Sequence, residues 1–201
     1  MIQLRQTVAL VAALLFLAKE VSPYGTGAPA AACVTMTPKH VNPNGGFIAG
    51  QTAASPYSIS VSVNNYKPGD TVTVTVSDSR AADAAGFRGI LMQARNPGAE
   101  VPLGTWVNPP TDTKLTKCTV DGDSVTHANT NLKSSGTVFK WKAPNKNVGT
   151  VQFVATVAEM KEKFWLKLLA NKAITYNSAK NLRMNTVYLA ITAIVALKAL
   201  M

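Results

Sequence analysis

Phe87–Trp106, FRGILMQARNPGAEVPLGTW, decides how this chain folds. An apolar run, Ile90-Leu91-Met92, continues into Gln93-Ala94-Arg95, breaks at Asn96-Pro97-Gly98 and returns through Gly104-Thr105-Trp106. Apolar run, Pro/Gly break and aromatic-bearing return predict two strands of one sheet, joined by a loop too long for a two-residue hairpin. In the first strand Arg88, Ile90, Met92 and Ala94 share one face, and Phe87, Gly89, Leu91 and Gln93 the other. Both faces are partly apolar, which predicts a central strand with Gly89 as a candidate bulge. The stretch reads as core, not as chemistry.

Working outward, the pattern is strand-like on both sides. Tyr57, Ile59, Val61 and Val63 alternate with Ser58, Ser60, Ser62 and Asn64, as expected of a strand with one buried face. Pro68-Gly69 suits a type II turn, after which Val72, Val74 and Val76 alternate with Thr71, Thr73 and Thr75. The Ser/Thr rows would make an outer face, read first as strand-compatible polarity and second as a ligand surface. Downstream, Ser124–Ala128 is a short strand after the turn Asp121-Gly122-Asp123. Thr137–Lys142 places Phe139 and Trp141 inward, and Val151, Phe153, Ala155 and Val157 make one face of the longest strand. Lys163–Leu169 suits a last strand, with Phe164, Leu166 and Leu168 inward, or a short helix. Seven or so short, turn-separated strands argue for an all-β antiparallel sandwich.

Both ends are more apolar than the middle. Arg5 precedes the apolar Val8–Ala18, and Lys19-Glu20 follows, the layout of a secretory signal peptide over residues 1–22 with the mature chain starting near Tyr24. After Tyr176 come small Asn177-Ser178-Ala179, the polar Lys180–Asn185 and the apolar Thr186–Met201. Three readings of this 171–201 linker and tail stay open: a glycosylphosphatidylinositol signal with Asn177 as attachment site, a membrane-inserted segment, or a tail lying on the surface. An extracellular route, ending in release or in attachment to the outer cell surface, would let Cys33 and Cys118 pair across a loop of roughly 85 residues, stabilising the fold by on the order of 4 kcal/mol. Two separate buried thiols are the alternative.

The chain carries a formal net charge of +10, and Gly25–Asn177 holds fifteen Lys/Arg against nine Asp/Glu. A secreted basic protein meets anionic lipids, bacterial envelopes and sulfated glycans before nucleic acid. Chemistry is sparse. The two histidines, His40 and His127, have no metal-ligand neighbours in sequence, Ser124 and His127 fall on opposite faces of a strand, and Asp112, Asp121 and Asp123 read as turn residues. No cofactor motif stands out, and an enzyme is not expected. The surface supplies the candidates: Lys140 and Lys142 point away from Trp141, and, if the last segment is a strand, Lys163 and Lys167 flank Trp165 on its outer face, where the indole is either exposed between them or turned to a second layer with the lysines solvated.

Gly27-Ala28-Pro29 followed by Cys33, Ser55-Pro56-Tyr57, Tyr66-Lys67-Pro68-Gly69, Phe87-Arg88-Gly89 with Gln93-Ala94-Arg95, Gly104-Thr105-Trp106, Cys118, Val125-Thr126-His127 and Trp141-Lys142-Ala143-Pro144 form an ordered series. It resembles the reeler domain, and within it the insect defence-protein group, over residues 24–170. The resemblance implies an immunoglobulin-like sandwich, a Cys33–Cys118 disulfide, secretion and a role in defence against bacteria. A second cysteine pair found in many reeler domains is absent here, so the later strands rely on packing. Reeler domains also precede ferric reductase or adhesion modules; neither lies in these residues, and reductase activity is not carried over. The expectation is an innate-immune, antibacterial protein binding anionic microbial surfaces or glycans without catalysis. The alternative is an extracellular adhesion or matrix-binding module.

Overall fold

The computed structural model describes residues 24–177; the expected signal peptide and the tail beyond Asn177 lie outside them. Two antiparallel sheets face one another. One orders β1 (Tyr57–Val61), β3 (Thr71–Asp78), β8 (Thr137–Lys142) and β5 (Thr105–Val107) as β1-β3-β8-β5. The other orders β10 (Lys163–Leu169), β9 (Gln152–Met160), β4 (Gly89–Arg95), β7 (Ser124–His127) and β6 (Thr113–Thr116) as β10-β9-β4-β7-β6. A two-residue parallel pair, β2 (Asn65–Tyr66) with β11 (Thr175–Tyr176), closes one end.

Alternation builds the four-stranded sheet. Tyr57, Ile59 and Val61 of β1, Val72, Val74 and Val76 of β3, and Phe139 and Trp141 of β8 are all buried in one core, because every second side chain of a strand faces the same way. Gly69 sits at φ +77° in the turn between β2 and β3, the left-handed conformation a type II turn needs at that position. From the facing sheet, Val151 and Phe153, Ala155 and Val157 of β9 meet them. Phe153 lies edge-on to Trp141 at 5.3 Å and to Trp106 at 5.9 Å, the geometry that aligns a ring's positive edge with its neighbour's negative face.

β4 is central, between β9 and β7, and its residues Ile90–Arg95 are buried on both faces. Ile90, Met92 and Ala94 point into the core, while Leu91 lies under a covering layer with Ala32, Met36 and Val154. That layer is the Tyr24–Gln51 segment, which includes a single 3-10 turn at Ala30–Ala32.

Several expectations need correction. The return Thr105–Val107 does not pair with β4 in its own sheet; it joins β8 of the opposite one, which puts Trp106 across the core from Phe153. Gly89 makes no bulge, since its register with Ala158 is regular. Lys163–Leu169 is a strand, but it holds two register shifts. Within it Trp165 joins the core at 5% exposure, Phe164 is buried and Leu166 is exposed. The strand from Tyr57 ends at Val61, leaving Val63 exposed. Thr113–Thr116 and the β2/β11 pair were not foreseen. Ile174 is fully buried, so packing continues through the last described residues.

Candidate functional site

The outward side of the four-stranded sheet is mostly polar, with Val107 and Val138 as its apolar members. Register aligns Thr71 of β3 with Lys142 of β8 and Thr105 of β5, and Thr73 with Lys140 and Val107. On the other flank Ser60 faces Thr75 and Ser58 faces Ser77. Ser58, Ser60, Lys140 and Lys142 are exposed, and no outward residue of these four strands is acidic. Lys140 and Lys142 thus stand where the sequence places them, two residues apart on one face with hydroxyl neighbours on both flanking strands.

Lys163 and Lys167 are elsewhere, on the edge strand of the other sheet. Lys163 pairs with Glu159 at 3.0 Å and lies 5.9 Å from the Trp165 ring. The indole of Trp165 is turned inward, its Nε1–H donating to the Ala53 carbonyl at 3.0 Å. Trp165 is therefore a residue of the main core, neither exposed between two lysines nor facing a second outer layer, because the strand slips register between Trp165 and Leu168, with Lys167 at φ +50°. Asn177 is exposed, and its N–H donates to Tyr66 O at 2.8 Å.

Asp78, Arg80 and Asp123 are structural. Asp78 accepts from Arg80 Nη2 at 2.6 Å and from Gly86 N–H at 2.8 Å; the guanidinium bond and these contacts hold its carboxyl at about 2. Burial pushes the Tyr57 hydroxyl to about 12 although Arg80 pulls the other way. Arg80 also pairs with Glu159. Asp123 is fully buried and accepts from the N–H groups of Val120, Thr119 and Cys118; burial opposes its ionisation, but these amides hold it below the usual range. The turn role expected for Asp123 stands.

His127 makes an equally closed set. Its Nε2–H donates to Tyr24 O at 2.7 Å, which leaves Nδ1 to accept from Ile90 N–H at 3.2 Å. Burial keeps this imidazole below its ordinary pKa, and with both nitrogens bound to backbone it offers no base to Ser124. Among the described residues, no three His, Cys, Asp or Glu side chains group as metal ligands.

The Gln93-Ala94-Arg95 segment acquires a physical meaning. Gln93 and Arg95 lie on the covered face of β4, where Arg95 Nε donates to Gln93 Oε1 at 2.6 Å and Nη2 to Cys33 O at 2.5 Å. Gln93 Nε2 in turn points at Cys118 Sγ, 3.1 Å away. Cys33 and Cys118 are disulfide-bonded with their Cα atoms 5.7 Å apart. One strand therefore grips both halves of the bridge.

The reeler domain family model matches residues 31–182. This chain belongs to the reeler domain family. Among curated relatives, "Putative defense protein 3" of Antheraea mylitta is 38% identical over 147 residues, covering 73% of this chain and 83% of the relative. "Putative ferric-chelate reductase 1" of Danio rerio is 30% identical over 161 residues, but this chain spans only 26% of its length. Among solved structures, the reelin-N domain of F-spondin superposes with a TM-score of 0.51 at 19% identity, covering 65% of this chain and 92% of that one. That likeness establishes the reeler sandwich fold, and the names of the insect relatives suggest a defence role.

Sequence reasoning missed a cavity between the Tyr24–Phe47 segment and the outer face of the five-stranded sheet. The one available signal was β4 itself, apolar on both faces and so in need of a second covering layer.

Proposed function

We propose that this reeler domain is a non-catalytic extracellular defence module that binds anionic microbial surfaces through the outward face of β3 and β8. One observation supports the reading above others: Lys140 and Lys142 stand exposed on a hydroxyl-lined sheet face with no carboxylate among its outward residues. Such a face offers cations to phosphate or carboxylate groups of an envelope polymer and hydroxyls to its sugars. The closed hydrogen-bond sets of His127 and Asp123 favour a binding role over catalysis.

The test is binding of the protein, expressed from its full sequence in a secretory host, to intact bacteria. Lys140→Ala/Lys142→Ala should weaken binding at least fivefold and flatten its salt dependence. Binding that is unchanged by the double substitution rejects the face. Stronger retention on heparin than on bacterial cells, lost in the same variant, would favour the adhesion reading instead.

A further inference from the structure

The cavity beneath the N-terminal segment measures about 690 Å³, inside the roughly 300–1,000 Å³ range of small-molecule sites. Its interior is apolar: Ala32, Met36 and Leu91 are buried there, with Ala28 packed against them. Toward solvent it shows two large apolar side chains, Phe47 at 72% exposure and Met160 at 47%, an arrangement that is unfavourable in water unless something covers it. The lining also includes three exposed cations, Lys39, Arg88 and Lys161, and no acidic residue. None of the three takes part in the four ion pairs among the described residues. Both histidines on the lining are engaged, His127 as described and His40 through Nδ1 to Lys161 O at 2.6 Å. Arg88 donates Nη1 to the Thr130 carbonyl at 3.0 Å, so its other guanidinium nitrogens and the ammonium groups of Lys39 and Lys161 are the charged groups left to meet a ligand.

An apolar chamber edged by unpaired cations is complementary to a molecule with a hydrocarbon body and a negative end. We propose that the cavity binds a single-chain amphiphile of the long-chain fatty-acid class, its chain against Ala28, Phe47 and Met160 above the apolar floor of Ala32, Met36 and Leu91, and its carboxylate among Lys39, Arg88 and Lys161. The single compartment suits one chain; the two chains of a membrane phospholipid would overfill it. This site lies on the five-stranded sheet, so it does not depend on the lysine face of the other one.

The full chain from a secretory host is titrated with cis-parinaric acid, followed by its fluorescence, and the probe is then displaced with laurate. Saturable binding of one probe per chain is expected, weakened at least tenfold for methyl cis-parinarate and for Lys39→Glu/Lys161→Glu, whose side chains are exposed and whose fold circular dichroism should find intact. Ala28→Phe, which fills the chamber, should abolish it, whereas Lys140→Ala/Lys142→Ala should leave it unchanged. No saturable binding, or equal affinity for acid and ester, overturns the proposal. Dodecyl phosphate displacing the probe more than tenfold better than laurate overturns the carboxylate assignment.

Discussion

Arg95 is the residue on which the reeler signature turns. It is 5% exposed and has Gln93 Oε1 and Cys33 O as its closest partners, and burial lowers its pKa. Through Nε and Nη2 it organises the covered face of β4 in place of an apolar contact. Removing the head group strands the Gln93 and Cys33 acceptors in a dry site, so Arg95→Met should destabilise the protein by about 3 kcal/mol in a denaturant titration. His127 gives a second prediction at this scale. Its folded-state pKa is depressed, so the folded form resists protonation while the unfolded form accepts a proton below about pH 6.5. The stabilisation it contributes is present above that pH and is lost as pH falls toward the folded pKa. The amides of Gly27 and Ala28, beside the Tyr24 contact, should show lower exchange protection factors at pH 5.5 than at pH 7.5, and an unchanged ratio would show that this contact does not titrate. Asp78, held at about 2, behaves likewise in a lower window: its share, about 2 kcal/mol from a shift of that size, is present above pH 4 and is lost as pH falls through 2.

At the scale of elements, Gly104 shows why the return strand carries its glycine. It sits at φ +65°, and an added Cβ would lie 2.6 Å from the Trp141 indole and 2.5 Å from Lys142 O, which anchors β5 closely along β8. Gly104→Ala should cost more than about 2 kcal/mol and lower the melting temperature, since both backbone strain and a clash with packed atoms oppose it. Legibility followed the same physics. β1, β3, β8 and the inner face of β9 could be read from alternation because one side meets the core and the other meets water. β4 could be recognised as central, but not the Tyr24–Gln51 layer that covers it, since loops carry no period. Trp165 was misplaced because a period-of-two reading assumes unbroken register, and one extra residue between Trp165 and Leu168 reverses the faces. The sheet change between β4 and β5 left no local mark: a Pro/Gly loop leads equally well to a neighbouring strand or across the core. Of the candidate site, Lys140 and Lys142 followed directly from alternation, whereas the cavity depends on contacts between residues as distant in sequence as Tyr24 and His127.

For the whole molecule, the disulfide ties the covering layer to the sandwich. Cys33 and Cys118 are separated by 85 positions, and a bridge closing a loop of that length restricts the unfolded chain by about 4 kcal/mol in the entropic model. A Cys33→Ser/Cys118→Ser variant should therefore unfold at markedly lower denaturant concentration. Its loss of exchange protection should be greatest over residues 24–50, because the sandwich strands keep their own ladders and core.

The β2/β11 pair gives the molecule a direction. The described chain leaves at Asn177, bonded to Tyr66 O, and Ile174 bridges to Val151 at the start of β9. Met160 and Lys161, on the cavity lining, lie at the other end of that strand, nine residue steps away, or about 30 Å at the rise of an extended strand. Asn177 thus lies toward one pole, and the cavity lining at Met160 and Lys161 toward the other. A reeler domain held at Asn177 would turn that lining away from whatever surface held it.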